Sequence, residues 1–177
     1  MGRVRVYIAT SFDGYIAGAD DDLSWLPTDA EAGEGALSYD AFMADVGAML
    51  MGRRTYDTVL GFGGDWPYGD TPVLVATSRA LEPAQPTVRA VSGSIDELLD
   101  EALRAAAGRD VYVDGGNLVQ QALAAGRVQE LVVTIVPVLL GQGIRLFGEL
   151  ARPVGLTFGE PAWFGTMMQL RAEVSVG

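Results

Sequence analysis

Three apolar runs in this chain each end on a short polar motif, and their order limits the folds open to it. Gly52-Arg53-Arg54-Thr55 follows AMLM, Thr77-Ser78-Arg79 follows PVLVA, and Asp114-Gly115-Gly116-Asn117 follows VYV. Each motif stands where a buried strand would end and a loop or helix begin. Open α/β sheets bind their ligands outside the carboxyl ends of the strands. Glycine lets backbone approach a phosphate, and a helix N-terminus offers unpaired N–H groups to an anion. Arginine forks match phosphate oxygens. The pattern points to a nucleotide with several phosphates held along one edge of a sheet.

Composition narrows the chemistry. The chain has no cysteine, histidine or lysine, so all 12 basic residues are arginine. That excludes a disulfide, a thiolate nucleophile, a histidine base, a Ser-His-Asp triad, a Schiff-base lysine and a Walker lysine. It leaves carboxylates as the main groups that can move protons near neutral pH. Such a chain is either a binder or an enzyme whose cofactor carries the hard chemistry. A net charge of −11 argues against nucleic acid and against anionic membranes as partners. No apolar stretch reaches the roughly 20 residues of a membrane span, and no leader is legible, so the expected location is cytoplasmic. At 177 residues, one domain with its own core is expected.

Periodicity and turn chemistry predict alternating elements. Strands are expected at Arg3–Ala9, Ala48–Met51, Pro72–Thr77, Thr87–Val91 and Val111–Asp114, with a long apolar strand from Gln129 to Leu140. Helices are expected from Tyr39 to Asp45 behind the cap Ser38, and from Arg53. Two more are expected behind the Ser94/Glu97 capping box to Ala107, and from Leu118 to Ala125. Ser11–Pro27 reads as loop. Beyond Gly143 the chain reads as strands only: Arg145–Phe147, Leu156–Phe158 and Met167–Val176. This is an α/β fold, a mainly parallel central sheet with a C-terminal antiparallel hairpin.

The ordered set of motifs resembles the dihydrofolate reductase-like superfamily. It is most similar to the reductase domain of the bifunctional riboflavin-biosynthesis deaminase–reductase, in a stand-alone form. The resemblance runs from Ala9-Thr10-Ser11-Phe12-Asp13-Gly14-Tyr15-Ile16-Ala17 through Trp25, Met51–Tyr56, Val75–Arg79 and Asp114–Gly116. It ends at Pro137–Gly143 with Leu146-Phe147. It implies a three-layer fold and NADPH as cofactor. By resemblance, Gly52, Arg53, Arg54, Thr55, Gly115, Gly116, Asn117 and Leu118 surround the pyrophosphate. Thr77, Ser78 and Arg79 hold the adenosine end, with Arg79 or Arg54 on the 2′-phosphate. Backbone at Ala9 and Ile16 holds the nicotinamide carboxamide, and Ala17–Trp25 forms a partial lid with Trp25 on the substrate. The Gly115-Gly116 pair is expected in a conformation that only glycine tolerates, a cis peptide among the options.

The branch is read from three acids. Asp29 matches the folate enzymes' catalytic acid, although the spacing to Gly52 departs from theirs. Asp70 stands where they carry the arginine for the folate tail. Asp114 replaces the apolar residue they pack on the pterin, and an acid there suits a polar substrate. The expected activity is NADPH-dependent reduction of a carbonyl or imine carbon in a small polar molecule, with Asp114 and Asp29 as catalytic candidates and no metal. A folate reductase and a nucleotide binder without turnover are the alternatives. Asp13, in an Asp-Gly turn, is expected to be structural. Trp66, Tyr68 and Trp163 are cleft candidates that pack as readily as they bind. The apolar density from Gln129 to Leu146 suggests a homodimer.

Overall fold

The computed structural model describes residues 2–27 and 32–175. Alternation along the strands sorts the core into two layers. Ala48, Leu50, Leu74, Val111 and Val113 pack on one face of the sheet against Leu98, Leu99, Ala102, Val119 and Ala122. Met49, Met51, Val73, Val75 and Tyr112 point the other way, onto Phe42 and Tyr56. Period-2 strands flanked by helices on both faces make three layers.

The strands are β1 (Val4–Ser11), β2 (Tyr15–Ala17), β3 (Val46–Gly52), β4 (Val73–Ala76), β5 (Val88–Val91), β6 (Asp110–Asp114), β7 (Glu130–Val136), β8 (Ile144–Arg145), β9 (Gly155–Phe158), β10 (Ala162–Phe164) and β11 (Met167–Ser175). The helices are α1 (Tyr39–Met43), α2 (Arg53–Gly61), α3 (Ile95–Ala105) and α4 (Gly116–Ala124). The main sheet runs β10-β11-β7-β1-β6-β3-β4-β5, with β9 also on β11. Strands β7-β1-β6-β3-β4-β5 are parallel, and β11 pairs antiparallel with β7. The expected α/β class, the parallel sheet and the C-terminal antiparallel hairpin β10–β11 are all present. Among the described residues no helix is long and apolar enough to cross a membrane.

Three local expectations are corrected. The strand expected to reach Leu140 stops at Val136, because Pro137 has no N–H for the ladder. Within the loop expected over Ser11–Pro27, Tyr15–Ala17 forms β2, antiparallel to β8. The peptides on either side of Gly115 are trans, as are all among the described residues.

Asp13 is structural, but over a longer range than its turn implies. Its carboxylate accepts from Ser11 Oγ at 2.6 Å and from the backbone N–H groups of Leu140 and Gly141 at 3.1 and 2.7 Å. The Ser11 bond and these two N–H groups hold the carboxyl down at about 2. The staple seats the segment after β7 against β2, which is how β8 reaches the cleft described below.

The opposite, N-terminal end of the sheet holds a buried ion network. Arg5 lies under the Phe42 ring, its guanidinium 4.5 Å from the centroid, and its Nε donates to Glu130 at 2.6 Å. Arg171 donates to the other Glu130 oxygen at 2.7 Å. Burial works against the Glu130 charge, yet Arg171 and Arg5 outweigh it and the carboxyl titrates low. A buried charge stripped of its partner is costly. Glu130→Gln is therefore expected to destabilise the fold by about 3 kcal/mol in urea unfolding at pH 7. The folded-state value is depressed, so this contribution is present above the ordinary glutamate value and is lost as pH falls from there through the lower folded-state value. The loss in Glu130→Gln should shrink accordingly in acid.

Candidate functional site

The carboxyl ends of β3, β4 and β6 lie level. Met51 pairs with Asp114, Gly52 with Ala76, and Ala76 with Val91. The three motifs read from the sequence therefore open on one cleft of about 850 Å³. Its lining includes Gly52, Arg53, Arg54 and Thr55 from the start of α2, Thr77 and Ser78 after β4, and Asp114 to Leu118 from the β6–α4 junction. Ala9 and Ile16 line it from β1 and β2.

Helix capping separates this end of the fold from the rest. Ser38 caps α1 through the Ala41 N–H, and Ser94 caps α3 in a full capping box. The N-caps of α2 and α4 are Gly52 and Gly115, and neither has a side chain to accept a bond. Both uncapped N-termini face the cleft. Their first-turn N–H groups and dipoles favour an anion there.

The glycines have separate reasons. Gly115 has φ +109, and a Cβ on it would sit 2.8 Å from Thr55 Oγ1. A Cβ on Gly116 would meet Ile16 Cδ1 at 2.8 Å. Gly115 is required by its backbone, whereas a side chain at Gly116 would have to displace the movable end of Ile16. Gly52 differs: its φ of −68 suits any residue, and a Cβ would meet nothing nearer than Thr55 Oγ1 at 3.9 Å. Glycine is not needed there for the chain itself; it keeps the space between the two helix ends empty.

Arg53 donates to Asp57 and to the Ala80 carbonyl, each at 2.8 Å. Arg54 forks onto Asp21 at 2.6 and 2.8 Å, tying the lid segment to α2 across the mouth. Arg79 lies outside the lining, 70% exposed, with only a 3.8 Å pairing to Asp57. Asn117 is exposed and accepts from Gln121. The Leu118 side chain is buried in the core.

Asp114 is half-buried at the floor. Burial lifts its carboxyl to about 6, against the lowering effect of the Gly115 N–H. Tyr112 lies two residues back on the same face of β6, and its hydroxyl donates to the Tyr7 carbonyl at 2.8 Å. Tyr39 from α1 and Tyr68 complete this side of the cleft. Burial raises all three phenols, and the Asp114 charge adds to it. A carboxyl that titrates near neutrality in a cleft is a group able to hold or release a proton.

Trp25, expected on the substrate, lies outside the cleft lining. Its indole N–H donates to the Asp22 carbonyl within its own turn, and Leu23 and Leu26 line the cleft in its place. Asp29 lies outside the described residues. Of the aromatic candidates, Tyr68 lines the cleft. Trp66 instead packs edge-on between Tyr56 and Tyr68, and Trp163 is exposed on β10. The sequence reading missed Tyr39, Tyr112 and Asp21. The i, i+2 spacing of Tyr112 and Asp114 was a usable signal, because β6 puts both on one face. Tyr39 had none. It is placed by Gln169, whose side-chain amide bonds both the N–H and the carbonyl of Leu37, at 2.7 and 3.1 Å.

The whole architecture has known counterparts. The family model described as the RibD C-terminal domain matches residues 3–161. The uncharacterized protein YwjB of Bacillus subtilis (strain 168) is 31% identical over 169 residues, covering 95% of each chain. A crystal structure of a candidate riboflavin biosynthesis protein from Shewanella sp. PV-4 superposes with a TM-score of 0.86 at 32% identity, over 98% of this chain and 99% of that one. A Thermotoga maritima diaminohydroxyphosphoribosylaminopyrimidine deaminase/5-amino-6-(5-phosphoribosylamino)uracil reductase shares the fold at a TM-score of 0.69 and 13% identity, over 98% of this chain and 57% of that one. The chain belongs to the RibD C-terminal domain family, a reductase-like branch of the dihydrofolate reductase fold related to riboflavin biosynthesis.

Proposed function

We propose that this protein is an NADPH-dependent reductase acting on a carbonyl or imine carbon of a small polar molecule. The observation that carries the reading is the meeting of two uncapped helix N-termini in one cleft, beside a carboxyl that titrates near neutrality. The residues fit a dinucleotide. The gap at Gly52 and the N-termini of α2 and α4 suit its pyrophosphate, and Thr77 and Ser78 suit its adenosine end. The backbone of Ala9 and Ile16 suits its carboxamide. When bound, the nicotinamide supplies the hydride. The chain's own part is to fix the reacting carbon, exclude water under Leu23 and Leu26, and hold a proton on Asp114.

NADPH is favoured over NADH because Arg79 is free enough to take a 2′-phosphate, whereas Arg54 is engaged by Asp21. A hydrogen bond between charged groups is worth about 1.5–3 kcal/mol. Arg79→Ala is expected to weaken NADPH binding by about one to two decades and to leave NADH nearly unchanged. Calorimetric titration of both nucleotides checks this, and equal weakening would remove the assignment.

The reductase reading is tested by NADPH oxidation against a panel of carbonyl and imine compounds, with dihydrofolate included. Turnover of a polar member and none of dihydrofolate is expected; tight binding without turnover of any member would leave a nucleotide-binding protein. A homodimer remains part of the proposal on a reduced basis. Leu131, Val132 and Val136 are core of the monomer, whereas Leu139 and Phe12 are 70% and 73% exposed. Light scattering at micromolar concentration decides it.

A further inference from the structure

Among the described residues the substrate end of the cleft has no cation. The sequence offers 12 basic side chains, all arginine, and the undescribed residues 1, 28–31 and 176–177 contain none. Each arginine can be placed. Arg3, Arg5 and Arg171 serve Glu130 at the far end of the sheet. Arg89 and Arg127 pair with acids of α3, and Arg104 lies in its last turn. Arg109 donates to the Ala44 carbonyl, Arg145 stacks on Tyr15, and Arg152 lines a separate small cavity. Only Arg53 and Arg54 line the cleft, both at the first turn of α2 where the dinucleotide phosphates would lie; Arg79 stands outside.

Around Asp114 the surroundings are phenols and acids. The Asp114 carboxylate acts on all three of Tyr39, Tyr68 and Tyr112, and Asp40 acts on Tyr39 as well. The Tyr7 and Tyr112 hydroxyls are spent on backbone carbonyls. Those of Tyr39 and Tyr68 make no hydrogen bond among the described residues, although both rings line the cleft. Asp114 accepts from donors when ionised, and two free hydroxyls beside it can donate or accept. Ile8 and Leu26 supply apolar walls. Convergent polar groups in an apolar slot fix the orientation of a small ligand.

We infer that the substrate is an uncharged ring compound with N–H or O–H donors and no phosphate, selected by Tyr39 and Tyr68 together with Asp114. This rests on the reductase reading and narrows it. The Thermotoga relative is named for a phosphoribosylated uracil; here a phosphate ester would enter a slot that sets no arginine against it and places the Asp114 carboxyl beside it.

The test uses three matched probes on the NADPH-loaded protein: 5-aminouracil, 5-aminouridine and 5-aminouridine 5′-monophosphate. Calorimetry is expected to show the base and the nucleoside binding within about fivefold of each other. The monophosphate should bind at least about tenfold more weakly at low salt, with the gap narrowing as salt screens it. Tyr39→Phe and Tyr68→Phe should each weaken the base about five- to twentyfold, with NADPH affinity and melting temperature kept. Tighter binding of the monophosphate overturns the inference. So does failure of the base to bind a protein that holds NADPH, or wild-type affinity in both Phe variants. If NADPH itself does not bind, the reductase reading falls; the same probes titrated on the cofactor-free chain then decide the slot separately.

Discussion

Asp114→Asn is expected to abolish turnover while making the protein more stable. The carboxyl sits at the floor of the cleft with its titration lifted to about 6 by burial. Its folded value is above the unfolded one of about 3.9. The favourable contribution is therefore complete below pH 4 and lost as pH rises through 6, so at pH 7 the fold carries a strained charge. A difference of that size between folded and unfolded chain corresponds to about 3 kcal/mol, and solvent at the cleft mouth reduces it to about 2. The neutral amide should raise the melting temperature by about 4–8 °C at pH 7 and by little at pH 3.5. Reduction should fall by at least about 10³-fold, because an amide at this point can neither hold nor pass on the proton. In the wild type, kcat/KM should decline about tenfold per pH unit above pH 6 if the protonated carboxyl is the active form. Unaltered turnover in Asp114→Asn, with NADPH affinity retained, would move the proton transfer elsewhere, and Asp29 would be the next residue to replace.

The strand ends that open on the cleft were legible in the sequence and the tyrosines beside Asp114 were not, for a physical reason. Gly52, Thr77, Gly115 and Gly116 sit at strand ends, and strand ends are marked locally by an apolar run followed by a polar break. Parallel pairing then brings such ends level without further information, as Gly52 against Ala76 and Met51 against Asp114 illustrate. Tyr39 and Tyr68 come from a helix start and a Gly/Trp/Pro loop whose positions depend on long-range contacts. The Gln169 amide on Leu37 spans 132 residues, and no local pattern announces it. Trp25, expected on the substrate, spends its indole N–H on the carbonyl of its own turn. Apolar continuity runs on through Pro137, but a proline cannot donate to the ladder and β7 ends before it.

Gly52→Leu is expected to remove NADPH binding without harming the fold. Most glycines at crowded junctions are held by backbone geometry or by a close neighbour. Gly115 is held by both, and replacing it would confound binding with folding. Gly52 is held by neither. Its backbone is ordinary extended chain, and a side chain would project toward the Asp114 carbonyl and Leu118 Cδ1 at 4.0 Å, in the gap between the two uncapped helix ends. Gly52→Ala should be neutral or stabilising by about 0.4–1 kcal/mol, because alanine restricts the unfolded chain at a conformation it readily adopts. The same methyl occupies space proposed for the pyrophosphate and should weaken NADPH about tenfold. Leucine fills the gap and should weaken it by more than about 100-fold, equivalent to roughly 2.7 kcal/mol or more. NADH should suffer equally, since both nucleotides share the pyrophosphate, and this separates the effect from that of Arg79→Ala. Titration of both nucleotides, alongside thermal unfolding of each variant, reads the two quantities independently. Full NADPH affinity in a folded Gly52→Leu protein would mean that the dinucleotide does not pass between α2 and α4.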